Sequence, residues 1–265
     1  MRRIGNIGLC VAVVFALGAV TAASASASAP EFGRCLKKAV AGGAGFSDAG
    51  CTKAVASAAK YEWTSVIAKK KFIGHMSTGI ATLEGVPAAD GGTGAKITCT
   101  AESNVGAEFS GPKTVTNVVA KFTGCETSGT KCNGVGQGVG EITTFALEGT
   151  LGVEKLGATA AANKLEVQLK GPGGGALAEF ECSALAKIKV TGCVAHPVVS
   201  NKMLLTNTEK FTATKGEQKP DKFEGGAENE CALAAALNGG TPEESGQTIT
   251  ALIESEEKIE ASSVN

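Results

Sequence analysis

The sequence predicts an all-β fold: an antiparallel sandwich or barrel-like domain stapled by disulfides, with a largely irregular N-terminal segment. Three observations carry this prediction. From residue 71 onward, apolar and polar residues alternate in short runs, which is the period of a strand with one face on a core. Gly-rich turns separate the runs, as in sandwiches and barrels. The exported part of the chain holds an even number of cysteines.

The clearest alternation is KLEVQLK at 164–170, whose apolar residues share one face. We expect its other residues to be solvated, namely Glu166, Gln168 and Lys170. In the run 114–123 the inward residues are expected to be Val118, Ala120 and Phe122. The run 249–259 is predicted to pair with an early strand. The run NECALAAAL at 229–237 fits either a helix or a buried strand.

Residues 1–27 have the order of a secretory signal peptide. Arg2 and Arg3 precede an apolar stretch, and alternating small residues follow, with cleavage expected after Ala25 or Ala27. The alternative is a retained membrane anchor. No later stretch reaches the roughly 18 apolar residues of a spanning helix. The sequence therefore predicts a secreted, extracellular or cell-wall-associated protein without a transmembrane segment after cleavage.

The charge of the chain argues against polyanionic partners. Removing Arg2 and Arg3 from the 25 basic side chains leaves 23 against 26 acidic ones, a net charge of −3. Such a surface does not attract nucleic acid or anionic membranes. The expected partner is an unidentified envelope or extracellular one.

Eight cysteines remain when Cys10 of the leader is set aside, and an even count in an exported chain implies disulfides. Eight cysteines allow 105 pairings. Local partners and strand pairing between two similar segments favour Cys35–Cys51, Cys99–Cys182 and Cys125–Cys132. Elimination leaves Cys193–Cys231.

The expected organisation has three parts: 1–27, an irregular segment at 28–68 that contains a disulfide loop, and a β domain at 69–265. Within 28–68, the Ala-rich run 53–60 fits a short helix or, as we favour, coil with one turn. The β domain shows weak internal similarity. TGIATLEG, ITC and FTGC are followed by TTFALEG, FEC and VTGC, which suggests two related halves at about 71–132 and 138–260. Chance recurrence of strand and turn chemistry is the alternative.

Several short motifs resemble those of a group of uncharacterised secreted proteins from high-GC Gram-positive bacteria. The motifs are PEFGRC at 30–35, YEW at 61–63, ITC at 97–99, FTGC at 122–125, GEITT at 140–144 and FEGG at 223–226. The resemblance spans nearly the whole exported chain. It implies export and carries no activity.

The sequence offers no catalytic, cofactor-binding or metal-binding constellation. His75 and His196 are the two histidines; neither flank matches a nucleophile elbow, and both are interpreted as surface or turn residues. Paired cysteines provide no thiolate, and a zinc site would need a tighter cluster. The Gly-rich runs at 134–140 and 171–175 lack the Lys-Ser/Thr of a phosphate loop.

Two functions remain after these exclusions. The first is a non-enzymatic structural or interaction protein of the envelope or medium. The alternative is a small-ligand or glycan-active protein of β-barrel or jelly-roll type that uses strand glutamates, for example Glu141, Glu148, Glu166 and Glu181. A concave, water-poor interior holding carboxylates favours the alternative. A filled interior with every glutamate outside favours the first function.

Overall fold

The computed structural model describes residues 30–65, 69–221 and 231–263. The predicted signal peptide lies outside these residues. The described part is built from strands joined by turns and three short 3-10 turns at Ala88–Asp90, Ala160–Ala162 and Pro172–Gly174. The strands are β1 Glu31–Lys37, β2 Gly45–Phe46, β3 Ala54–Val55, β4 Tyr61–Ser65, β5 Lys70–Gly85, β6 Lys96–Cys99, β7 Ala101–Val105, β8 Glu108–Phe109, β9 Thr114–Thr123, β10 Glu126–Thr127, β11 Thr130–Lys131, β12 Asn133–Gly134, β13 Ile142–Thr143, β14 Leu147–Lys155, β15 Lys164–Lys170, β16 Ala178–Glu181, β17 Lys187–Val198, β18 Leu204–Thr214, β19 Glu217–Lys219, β20 Leu233–Leu237 and β21 Glu243–Ser262.

The long strands form a closed antiparallel ring. Strand β5 pairs with β7, and the hydrogen-bonded order continues through β9, β14, β15, β17, β20 and β21. Strand β21 then pairs with β5 again, which closes the ring. Strand β18 lies outside this ring and pairs with β21 and, through its last residues, with β19. The all-β antiparallel prediction is confirmed, and so is the pairing of the last strand with an early one.

Strand β17 changes partner within its length. Along one edge, residues 187–190 pair with β16 and residues 193–198 pair with β15, while residues 188–192 pair with β20 along the other edge. The change falls at Gly192, whose φ is +90°. A Cβ at this position would lie 1.9 Å from the carbonyl oxygen of Ala232, so the close approach of the two backbones requires glycine.

The N-terminal segment contains more strand than the sequence suggested. Strand β1 pairs with β4 over Gly33–Lys37, and β1 also joins β21 at Glu31–Gly33. The Ala-rich run at 53–60 contains the two-residue strand β3 and no helix. Phe32 on β1 packs against Phe109 on β8, with 4.8 Å between the centroids of the two aromatic rings. This contact ties the N-terminal segment to the core of the strand ring.

The structure corrects two of the four predicted disulfides. It contains Cys35–Cys51 and Cys193–Cys231 as expected, but the other pairs are Cys99–Cys125 and Cys132–Cys182. Strand register explains the difference. Thr98 lies opposite Glu126, and Asn133 lies opposite Glu181, so each cysteine next to these residues meets its partner on the adjacent strand. The predicted pairs Cys99–Cys182 and Cys125–Cys132 are therefore wrong.

A second correction concerns the outer face of β15. The alternation was right for the inner face, where Leu165, Val167 and Leu169 are buried. The expectation that Glu166 and Gln168 are solvated was wrong, because they are 0% and 2% exposed. Residue Ala195, opposite Gln168 in register, belongs to a small apolar cluster with Cys193 and Cys231. The Cys193–Cys231 disulfide therefore holds a distant part of the chain against this face.

The region 229–237, ambiguous in sequence, contains strand β20 at Leu233–Leu237; residues 229 and 230 lie outside the described part. Among the described residues, no helix is long and apolar enough to cross a membrane.

Candidate functional site

The ring encloses an incompletely filled interior. A central chamber of about 120 Å³ lies among side chains from every strand of the ring. Its walls are mostly aliphatic and aromatic, and include Leu83, Val118, Phe122, Leu147 and Ile249. The predicted inward face of β9 (Val118, Ala120 and Phe122) forms one of these walls.

Two further cavities adjoin the central chamber. A rear chamber of about 110 Å³ shares Asn104, Val118 and His196 with it and is bounded by Phe32 and Phe109. A mouth chamber of about 390 Å³ shares Leu83 and Ile97 with the central chamber. The mouth chamber is bordered by exposed residues, among them Leu237 and Thr241, so it opens to solvent. The three chambers follow one another along the ring interior.

A polar cluster interrupts the apolar wall between the central and rear chambers. It consists of Glu102 and Asn104 on β7, His196 on β17, and Asn207 and Glu209 on β18. In each strand these positions belong to the inward face. The alternation of β17 places His196 on the same wall as Val194, and the alternation of β18 places Asn207 and Glu209 with buried Phe211.

His196 holds the cluster together. Its Nδ1 lies within hydrogen-bond distance, 3.0 Å, of Oε2 of the buried Glu209 side chain. The imidazole also packs on Phe211, with 4.5 Å between ring centroids. The side-chain amide of Asn207 donates a hydrogen bond to the second carboxyl oxygen of Glu209, Oε1, at 3.4 Å. The interpretation of His196 as a surface or turn residue was wrong, whereas His75 is exposed on β5.

Asn104 is fixed by the backbone of β5. Its Oδ1 accepts the N–H of Gly74 at 2.7 Å. A Cβ at position 74 would lie 2.6 Å from the Asn104 amide nitrogen, so glycine leaves the space that the amide occupies. This packing places Asn104 at the boundary between the two chambers.

Glu102 is the least satisfied member of the cluster. Its carboxyl group accepts a hydrogen bond from the backbone of Met76, but its Oε2 is buried without a hydrogen-bond partner. Burial raises the pKa of Glu102 to about 7; His196 acts in the opposite direction and Glu209 in the same direction. A buried acceptor of this kind costs free energy unless a donor reaches it.

The strand glutamates singled out in the sequence are not part of this cluster. Glu148 is exposed, and Glu141 pairs with Lys121 at 3.1 Å on the outer surface. Glu166 is buried on the outer face of β15, away from the chambers. Sequence reasoning missed Glu102 and Asn104 because β7 is inverted: its polar residues point inward, while Val105 is 62% exposed.

The cluster is not arranged as a metal centre. Within 30–65, 69–221 and 231–263, no group of three or more His, Cys, Asp or Glu side chains is placed to hold a metal ion. Comparison of the chain with protein-family models, with curated proteins and with solved structures finds no match.

Proposed function

We propose that the protein is an exported binding protein that holds a small, largely apolar molecule inside the strand ring. One observation carries this proposal: the ring encloses an apolar chamber whose wall contains a buried carboxylate oxygen without a partner. Ligand sites commonly combine apolar walls with a few convergent polar groups. The arrangement favours the small-ligand alternative over a filled structural core.

The size of the chamber supports this choice. Protein interiors are close-packed, and voids larger than a water molecule are few. An apolar cavity of about 150 Å³ admits benzene. The central chamber, at about 120 Å³, approaches that size and shares wall residues with two further chambers. An elongated molecule of one alkyl chain or one aromatic ring suits this interior.

Disulfides support the exported location. The eight cysteines of the described residues form four disulfides, as expected of a protein that works in an oxidising compartment.

The disulfide pairing also leaves these cysteines without a thiolate that could act as a nucleophile. A second side chain of the kind that can act as a nucleophile, Thr144, lines the central chamber. Its hydroxyl oxygen accepts a hydrogen bond from the backbone N–H of Ala120 at 2.9 Å. We therefore propose binding and assign no reaction.

Calorimetric titration with a neutral ligand, n-octanol, tests the proposal. We expect saturable binding by the wild-type protein. Ala120→Phe puts a ring into the central chamber and should weaken binding by at least about tenfold, since several kcal/mol of apolar contact are displaced. The matched control, Ala101→Phe, adds the same ring at an exposed position of β7 and should bind as wild type. Failure of n-octanol to bind, or equal loss in both variants, contradicts the proposal.

A structural or interaction role in the envelope is the second candidate. Exposed apolar residues favour it: Ile73 on β5 is 51% exposed, and Val105 on the paired strand β7 is 62% exposed. Fractionation of a culture into medium and washed cell wall tests this role. Recovery in the wall fraction, released by Ile73→Ser with Val105→Ser, would support it, whereas recovery in the medium alone contradicts it.

A further inference from the structure

We propose that the ring interior selects ligands that carry a protonated amine over ligands that carry a carboxylate, with the ammonium group seated against Glu102. This inference rests on the proposed binding function and names the chemical class of its ligand. It follows from the hydrogen-bonding deficit of the chamber wall and from the charges that face it.

The unsatisfied atoms at this site are acceptors. Oε2 of Glu102 and Oδ1 of Asn207 are both buried without a hydrogen-bond partner. Glu102 belongs to the wall of the central chamber, and Asn207 to the wall of the rear chamber. A ligand that supplies donors removes this deficit, and an ammonium group has three. A carboxylate has none and adds further acceptors.

The charges that face Glu102 point to the same ligand. The titratable groups of the cluster are Glu102 itself on β7, His196 on β17 and Glu209 on β18. Among the described residues that line the central chamber there is no lysine or arginine, and Lys202 lines the rear chamber only. Two carboxylates against one imidazole make an acidic site, in which a cation is stabilised and a second anion is repelled.

Two further glutamates with unpartnered oxygens do not compete for this role. Glu166 and Glu260 also have buried oxygens without partners, but neither lines one of the three chambers. Glu102 combines an unpartnered oxygen with adjoining space. The rest of the chamber wall is mostly apolar, and a surrounding of low dielectric strengthens a charge-assisted hydrogen bond to a bound ammonium group.

Titration with three molecules of equal chain length tests the inference: n-octylamine, n-octanol and n-octanoate, at pH 7.5. We expect n-octylamine to bind at least about tenfold more tightly than n-octanoate, with n-octanol between them. Glu102→Gln keeps the shape of the side chain and removes the negative charge. This variant should lose the preference for the amine over the alcohol, so that the ratio of the two affinities falls by at least about tenfold. The control, Glu148→Gln, removes an exposed carboxylate and should leave the series unchanged.

The outcomes separate this inference from the proposed function. If n-octanol binds inside the ring but the amine and the carboxylate bind equally, the amine selectivity is wrong and the binding function stands. If none of the three binds, both are wrong. If Glu102→Gln does not fold, the head-group comparison on the wild-type protein decides alone, since a carboxylate that binds as tightly as the amine overturns the inference.

Discussion

Burial raises the pKa of three glutamates in the part of the chain that the structure describes. Burial raises the pKa of Glu102 and of Glu260 to about 7, and that of Glu166 to about 8. Each has at least one oxygen without a hydrogen-bond partner. A folded protein keeps such groups at a cost in stability. The stability of the folded protein should therefore change with pH as these three carboxyl groups ionise.

Glu166 gives the first prediction. Because its folded pKa is raised from 4.5 to about 8, the folded state holds this proton more tightly than the unfolded state. Its contribution to stability is fully present below about pH 4.5 and is lost as pH rises to about 8. Glu166→Gln should therefore raise the free energy of unfolding at pH 8.5 by about 1 to 3 kcal/mol, and much less at pH 4.5. Urea unfolding at both pH values measures the difference.

Glu148→Gln is the control for this experiment, because Glu148 lies exposed on the neighbouring strand. It should change the free energy of unfolding by less than about 0.5 kcal/mol at either pH. A Glu166→Gln variant that is less stable than the wild type at pH 8.5 contradicts the assignment of a buried, destabilising charge.

Glu102 gives a prediction about binding. As pH rises from 6 to 8 through its pKa of about 7, the carboxyl group ionises and becomes the counterion of the bound amine. The affinity for n-octylamine should therefore rise about tenfold over this range, whereas the affinity for n-octanol should stay nearly flat. The change should vanish in Glu102→Gln. If it persists in that variant, Glu102 is not the counterion of the bound amine.

At the scale of elements, the disulfides follow strand register. Cys132–Cys182 joins β12 and β16 across a sequence separation of 50 residues. In the chain-entropy model a loop of this size contributes about 4 kcal/mol by restricting the unfolded state. The double variant Cys132→Ser with Cys182→Ser should lose about that amount in urea unfolding. Peptide mapping without reduction should still find Cys99–Cys125; a peptide joining Cys99 to a different cysteine contradicts the register described above.

Gly192 gives a prediction for the partner change in β17. Gly192→Ala combines a positive φ with a clash against Ala232 and should destabilise the fold by about 2 kcal/mol or more. Gly239→Ala is the matched control, since its φ is +72° and no atom lies within 4 Å of the added Cβ. It should cost about 1 kcal/mol, for the backbone strain alone. Equal losses in the two variants would mean that the backbones of β17 and residue 232 do not approach closely.

The alternation of apolar and polar residues predicted the inward face of some strands and failed for others. Alternation gave the inward faces of β9 and β15 because an inner face is defined within the strand itself. It failed for Glu166 and Gln168, which are buried although their spacing places them on the outer face of β15. It also failed for β7, where the inward side chains Glu102 and Asn104 are polar. The inward position of His196 could have been predicted, because residues 194, 196 and 198 lie on the same face of β17.

For the whole molecule, the sequence predicted the class of fold but not the closure of the ring. Closure depends on pairings between distant strands, such as β21 with β5 and β17 with β20. The disulfide pairs also depend on which strands lie next to each other. Two of the four predicted disulfides were wrong because the sequence alone did not show these strand neighbours. The candidate site depends on closure as well, because it gathers side chains from β7, β17 and β18.

A crystal structure with a bromine-tagged n-alkylamine would show whether the ring interior is the binding site. The anomalous signal of bromine should lie inside the ring, in one of the three chambers, with the amine nitrogen within hydrogen-bond distance of the Glu102 carboxyl group. Bromine sites confined to the outer surface, with the central chamber filled by side chains, would contradict the claim.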